Sequence, residues 1–322
     1  MKIKGSAKNL KISSALAVAG IGTLAAVALR IVQAFGGLID FETGFYTSDS
    51  FTIYALYGVL ALCAVLTFVI SFFAGKVPQD KLPEKRSIPV AVTALLFAAA
   101  LCFNAVSRYE AYSTIAERYD YLIMEQPQFS YLMKSGALAT LGESVFAVLS
   151  ALYFLLLAVK FIGAGKMNLT KVKFFSLCPL FWATFRMVQR FSRTISFMNV
   201  SSLFLELFMI AFMMMFFMYL AQTSSLVSNR ATSFKVVSYG LIAAMFSAVV
   251  SVPKVLLLLV NPAYKNLADT GMLECPVEIA DLFFLLFAFS FVICLVKSPE
   301  IKNMTLKETE KLLEQEGRIS VS

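Results

Sequence analysis

Eight stretches of this chain, about 12–35, 51–74, 88–106, 138–162, 174–195, 199–222, 236–260 and 278–296, are apolar over roughly the 20 residues that an α-helix needs to cross the hydrocarbon of a bilayer. Hydrophobic residues make up 59% of the 322 and charged residues 15%, too little polar surface to coat a water-soluble globule. The expected fold is all-α, a polytopic transmembrane helix bundle of about eight spans with the lipid bilayer as its solvent.

The net charge of +8 would point to nucleic acid in a soluble domain. In a membrane protein an excess of Lys and Arg records first which loops stay in the cytoplasm, so no nucleic-acid partner is expected. With the N-terminus inside, Lys2, Lys4, Lys8 and Lys11 fall on the cytoplasmic side, as do Lys76, Lys81, Lys85, Arg86, Lys160, Lys166, Lys171 and Lys173. Arg230, Lys235 and five tail cations follow them. Arg108, Arg118, Lys134 and Lys265 are assigned to outer loops, and the loop 36–50 has no cation. Eight spans in a cytoplasmic membrane, both termini cytoplasmic, satisfy this bias. The fifth span is the weakest. Its apolar part, FFSLCPLFWATF, has 12 residues, about 18 Å of helix, and crosses only by taking in arginines. Omitting it would export a tail that carries Lys297, Lys302, Lys307, Lys311 and Arg318.

The chain contains no histidine, which removes Ser-His-Asp and Cys-His catalysis and His-ligated zinc or haem. Cys63, Cys102, Cys178 and Cys294 lie in apolar runs and Cys275 in an outer loop, so no disulfide framework is implied. GAGK at 163–166 lacks the upstream glycine and the following Ser or Thr of a phosphate loop, and reads as a cytoplasmic turn. No enzyme activity, cofactor or metal is expected. Lys-rich residues 1–11, with A-V-A at 26–28, have the outline of a cleavable signal peptide. The apolar run continues past that point, so this segment is expected to stay as the first span.

An internal match divides the chain. LAAVALRIVQAF, residues 24–35, aligns with LFWATFRMVQRF, residues 180–191, setting Arg30 against Arg186 and Gln33 against Gln189 at an offset of 156. Each copy opens a set of four spans, and each set closes with a span that starts on an acid and ends Val-Lys. The expected organisation is a four-span half over 1–165, a second over 166–297, related as parallel repeats, and a cytoplasmic tail over 298–322. Chance among low-complexity apolar helices is the competing explanation. In the tail, Thr305 and Glu308 form a capping box for a short helix that Gly317 should end.

At about 100° per residue, Pro179, Trp182, Arg186, Gln189, Arg190 and Arg193 fall within an arc of about 100° on the fifth span. An arginine at the bilayer centre costs about 2.5–3.5 kcal/mol, whereas each Leu, Ile, Phe or Val returns only about 0.3–0.6. This face must therefore turn inward or snorkel at the boundary. Glu143, Glu206, Glu278, Asp281, Arg30 and Lys254 fall at matching depth. Five cations, counting Arg193, meet four acids, an excess of +1. Two readings follow. In one, Arg186, Glu206, Arg190, Arg30, Gln189, Glu143 and Asp281 line an outward-facing cavity for a small anionic or zwitterionic solute or a lipid headgroup, because guanidinium forks suit carboxylate and phosphate. In the other, the charges neutralise each other as a structural layer within a non-transporting sensor or accessory subunit, with the Tyr-rich loop 107–136 and the tail available to partners.

Pro179, Trp182 and Arg186 in P-x-x-W-x-x-x-R, followed by TISFMNVSSLFLELF at 194–208, resemble uncharacterised multi-pass membrane proteins of clostridial type. The resemblance covers roughly residues 175–260. It implies a bacterial cytoplasmic membrane and no particular activity.

Overall fold

The computed structural model describes residues 12–42, 45–74, 76–77, 82–83, 86–121, 127–163, 169–192, 201–225, 230–269, 277–297 and 301–302. The helices in chain order are α1 (Ile12–Phe35), α2 (Phe51–Phe73), α3 (Ile88–Tyr121), α4 (Gln128–Lys134) and α5 (Ala137–Ile162). They continue with α6 (Cys178–Ser192), α7 (Ser201–Ser224), α8 (Arg230–Val260), α9 (Pro262–Asp269) and α10 (Ile279–Val296). A 3-10 segment, Leu169–Leu177, leads directly into α6, and a two-residue strand β1 (Lys76–Val77) pairs antiparallel with β2 (Ile301–Lys302). The chain is an all-α polytopic bundle: α1, α2, α3, α5, α7, α8 and α10 are each long and apolar enough to cross a membrane. Helices are the expected solution, since each satisfies its own backbone polar groups where no water is available.

By itself α6 is too short and too charged for that group of seven. Its 15 residues rise about 22 Å, and the nine-residue 3-10 segment adds about 18 Å. The composite nevertheless runs antiparallel along α7. At one end the Ser176 hydroxyl lies 3.4 Å from that of Ser225, just past the α7 C-terminus. At the other, Arg186 and Arg190 reach Glu206, six residues into α7. Eight helical segments thus alternate in direction, and one end of the bundle gathers the finishes of α1, α3, α6 and α8 with the starts of α2, α5, α7 and α10.

Local chemistry explains several boundaries. Gly37, at φ 70°, ends α1 in the left-handed region, and the Leu38 amide turns back to the Gln33 carbonyl at 3.2 Å, a closure that satisfies an otherwise orphaned helix-end acceptor. Ser50 caps α2 by accepting from the Thr52 amide. Asn261 accepts from the Ala263 and Tyr264 amides, and Pro262, which has no amide hydrogen to lose, takes the first position of α9.

The sequence places the end of the third span at 106, yet α3 runs on to Tyr121. The apolar run stops there, but no glycine or proline follows in SRYEAYSTIAERYDY to stop the helix. Arg108, assigned above to an outer loop, is therefore a helical residue. The expected tail helix over 305–317 lies outside the described residues.

The core is aromatic. Phe97 of α3 packs edge-on against Phe154 of α5, with ring centroids 4.7 Å apart, and face-on against Phe287 of α10 at 6.1 Å. Phe216 and Phe217, from the MMMFFM run, close the group with Trp182 and Phe284. Residues from both sequence halves share this core. The α1–α2 hairpin packs on α8 through small residues such as Ala15, Ala19 and Gly22.

Close helix contact leaves specific sites with no spare volume. A Cβ at Gly142 of α5 would sit 2.5 Å from the Phe185 ring of α6, whereas one at Gly20 would meet nothing within 4 Å. Gly142→Ala is expected to cost about 1–3 kcal/mol by overpacking. Gly20→Ala should be neutral or slightly stabilising. Thermal unfolding of the two variants in the same detergent checks this, and equal melting temperatures would contradict it.

Candidate functional site: a buried arginine and carboxylate layer

α6 is strongly two-faced. Trp182, Ala183, Arg186, Gln189 and Arg190 are buried, whereas Phe181, Val188 and Phe191 are exposed on the opposite side, where lipid would lie. The arginine ridge thus looks inward, as its cost in hydrocarbon demands.

What it meets is a set of carboxylates at the same end of the bundle. Arg186 grips Asp281 with both terminal nitrogens, at 2.5 and 2.9 Å, and donates to Glu206 at 3.0 Å. Its Nη2 also lies 3.0 Å from Glu278 Oε2. Arg190 donates twice to Glu206 Oε1, at 3.0 and 2.7 Å, and to Glu278 Oε1 at 2.8 Å. Arg108 completes the set, with Nε donating to Glu143 at 3.1 Å and Nη2 to Glu278. These seven groups come from α3, α5, α6, α7 and α10, so the layer ties five helices together. Such charge-assisted, forked bonds are short and directional. Trp182 supports it from below: its ring centroid lies 5.8 Å from the Arg186 guanidinium carbon, and its indole nitrogen donates to Asn104 at 3.3 Å. From α8, the Ser247 hydroxyl donates to the backbone carbonyl of Asp281 at 2.6 Å.

Of the residues singled out from the sequence, Arg186, Arg190, Glu206, Glu143 and Asp281 come together here. Gln189 is buried on the same face, with its Oε1 unpartnered. Arg193 lies outside the described residues. Arg30 does not join the layer. Its guanidinium donates to Gln33, Tyr46 and Ser202 at 3.1, 3.2 and 2.9 Å, beside α8. The layer also takes in Arg108 and Glu278, neither of which was counted among the binding residues. A signal for Arg108 was present, because Phe97, Leu101, Asn104 and Arg108 recur at helical spacing and all four are buried.

The deep groups engage each other, and Arg186 is fully enclosed. Two cavities lie at this end of the bundle, and the second of them borders the layer. The first, about 520 Å³ counting its open mouth, has Arg30 from α1, Ser202 from α7, Pro253 and Lys254 from α8 and Tyr264 from α9 on its walls. It is roofed by Ile39, Asp40 and Phe41, where Asp40 and Thr47 make backbone hydrogen bonds to Phe45 and Leu38. The second, about 400 Å³ counting its open mouth, lies between α3 and the start of α10 and is lined by Asn104, Ser107, Arg108 and Glu278.

These features define a multi-pass membrane protein with a paired charge layer near one end of its bundle. No protein family, curated protein or solved structure matches the chain.

Removing one partner from such a layer leaves buried charge uncompensated. Glu206→Leu takes a carboxylate from both Arg186 and Arg190 and is expected to cost about 3–5 kcal/mol. Val188→Leu, on the exposed face of α6, should change stability by less than about 0.5 kcal/mol. Denaturant unfolding in mixed micelles measures both, and a Glu206→Leu variant as stable as the parent would contradict the pairing.

Proposed function

We propose that this protein binds a small anionic or zwitterionic solute in the cavity walled by α1, α7, α8 and α9, acting as a transporter or binding protein of a cytoplasmic membrane. The termini are cytoplasmic in this reading, which follows the distribution of Lys and Arg and turns the cavity outward. The observation that carries it is the presence of Arg30 and Lys254, from two different helices, on the wall of one cavity at the end of the bundle. A guanidinium fork and an ammonium suit a carboxylate or phosphate. Asp40 in the same wall supplies the opposite charge that the amine of a zwitterion needs, and Phe41 and Tyr264, packed edge to face at 4.9 Å, give an apolar side. The charge layer serves as the foundation. α7 carries Ser202 and Leu205 to the cavity wall and Glu206 into the layer, so the ion pairs fix the helix that shapes the site.

The enclosed state of the layer favours a second reading, a non-transporting sensor or accessory subunit in which the layer is purely structural. The two readings differ over the cavity and not over the layer.

A thermal-shift series on the purified protein, using short carboxylates, inorganic phosphate, glycerophosphate and zwitterionic amino acids, separates them. A solute at 100 times its Kd should stabilise the fold by about 2.7 kcal/mol. Arg30→Gln and Lys254→Gln should each abolish the shift while the unliganded protein stays folded. Absence of a shift with every probe, or a shift that survives both substitutions, would favour the subunit reading. A response to glycerophosphate and lipid vesicles but not to phosphate would identify a headgroup as the occupant.

A further inference from the structure

We infer that the buried layer is also a proton-binding site, with the proton held on Glu143. Among the described residues, the ion pairs join three guanidiniums, Arg108, Arg186 and Arg190, to four carboxyls, Glu143, Glu206, Glu278 and Asp281. Support is unequal across the four. Asp281 has the fork of Arg186, Glu206 is held by two arginines, and Glu278 lies against three. Glu206 also has the ammonium of Lys254 nearby, from α8. Oε2 is buried without a hydrogen-bond partner in Glu143, Glu206 and Glu278 alike, but Oε1 of Glu206 and of Glu278 accepts from two arginines, whereas Oε1 of Glu143 receives one hydrogen bond, from Nε of an Arg108 that it shares with Glu278.

Among the described residues, charged groups stand around Glu143 on several of the elements packed near α5. Arg108 faces Glu143 from α3, and Arg186 and Arg190 act on it from α6 while Glu278 opposes it from α10. α4 brings Lys134, which is exposed, and the 3-10 segment packs with its exposed Lys173 toward the far end of α5. A carboxylate oxygen without a partner is far costlier in such surroundings than a neutral acid in the same place. One proton on Oε2 removes a charge that has no partner there and leaves Oε1 free to accept from Arg108.

The cavity between α3 and α10 gives the side from which that proton comes, since it reaches Arg108 and Glu278, the two groups next to Glu143. A hydronium ion entering there gives its proton to the carboxylate and leaves as water, so the step balances with no other reactant. This inference does not depend on the solute reading, but if the cavity beside Arg30 and Lys254 does serve a transporter, the proton is the natural coupling ion.

Glutamine is an isostere of the protonated acid, which gives the test. Glu143→Gln should keep the parent's melting temperature, whereas Glu278→Gln should lose stability in the same assay. At neutral pH the infrared spectrum of the full-length protein should show the carbonyl stretch of a protonated carboxylic acid, sensitive to deuterium oxide. The stretch should be absent from Glu143→Gln and displaced in Glu143→Asp. A Glu143→Gln variant destabilised as much as Glu278→Gln, or a stretch unchanged in that variant, would overturn the assignment. Should Glu143→Gln fail to fold, Glu143→Asp keeps an ionisable acid, and an absent or undisplaced stretch there would overturn it.

Discussion

Guanidinium groups placed within a bilayer's depth have few acceptable surroundings, and the pairing of Arg186 with Asp281 and Glu206 is the contact on which the other features of this fold depend. The bidentate grip on Asp281 fixes the start of α10 against α6, and the bond to Glu206 fixes the start of α7. Arg190 and Arg108 extend the same logic to α5 and α3. Such a layer contributes little net stability compared with a well-packed apolar one, but it penalises any arrangement in which a single member loses its partner. Its role is to select one helix arrangement out of many that apolar packing alone would tolerate.

Packing and charge divide the work by depth. Below the layer the Phe97, Phe154, Phe217 and Phe287 rings fill the space among α3, α5, α7 and α10, and Trp182 belongs to both levels, edge-on to Phe97 and under Arg186. Beside this body the α1–α2 hairpin leans on α8 through small residues. The proposed solute cavity opens along that seam, where Arg30 of the hairpin and Lys254 of α8 share one wall. The boundary between a body locked by ions and a hairpin held by close apolar contact is a sensible place for a binding site, since a ligand there touches both.

Much of the architecture was legible in the sequence because the bilayer imposes a length on every crossing helix. α1, α2, α5, α7 and α10 each begin and end within two residues of the apolar runs that announce them. The inward orientation of Arg186 and Arg190 also followed from periodicity and cost alone. Two things did not. Hydropathy alone passes over Arg108, because it marks where hydrocarbon ends and not where a helix ends, and α3 continues well beyond its apolar part. The separation of Arg30 from the layer was hidden because its likeness to Arg186 speaks of local sequence, whereas its surroundings depend on which helices become neighbours. Sequence period gives the face of a helix but not the identity of its partner, and so the split between a sealed layer and an open cavity becomes visible only in three dimensions.

A double-substitution cycle on Arg186 and Asp281 probes the central pairing most directly, with Arg186→Met, Asp281→Leu and the double variant compared by denaturant unfolding in one micelle composition. If the two side chains stabilise each other in a dry interior, the double variant will be more stable than the sum of the single losses predicts, by about 0.5–3 kcal/mol. Losses that simply add, within about 0.5 kcal/mol, would mean that the arginine ridge does not face these carboxylates.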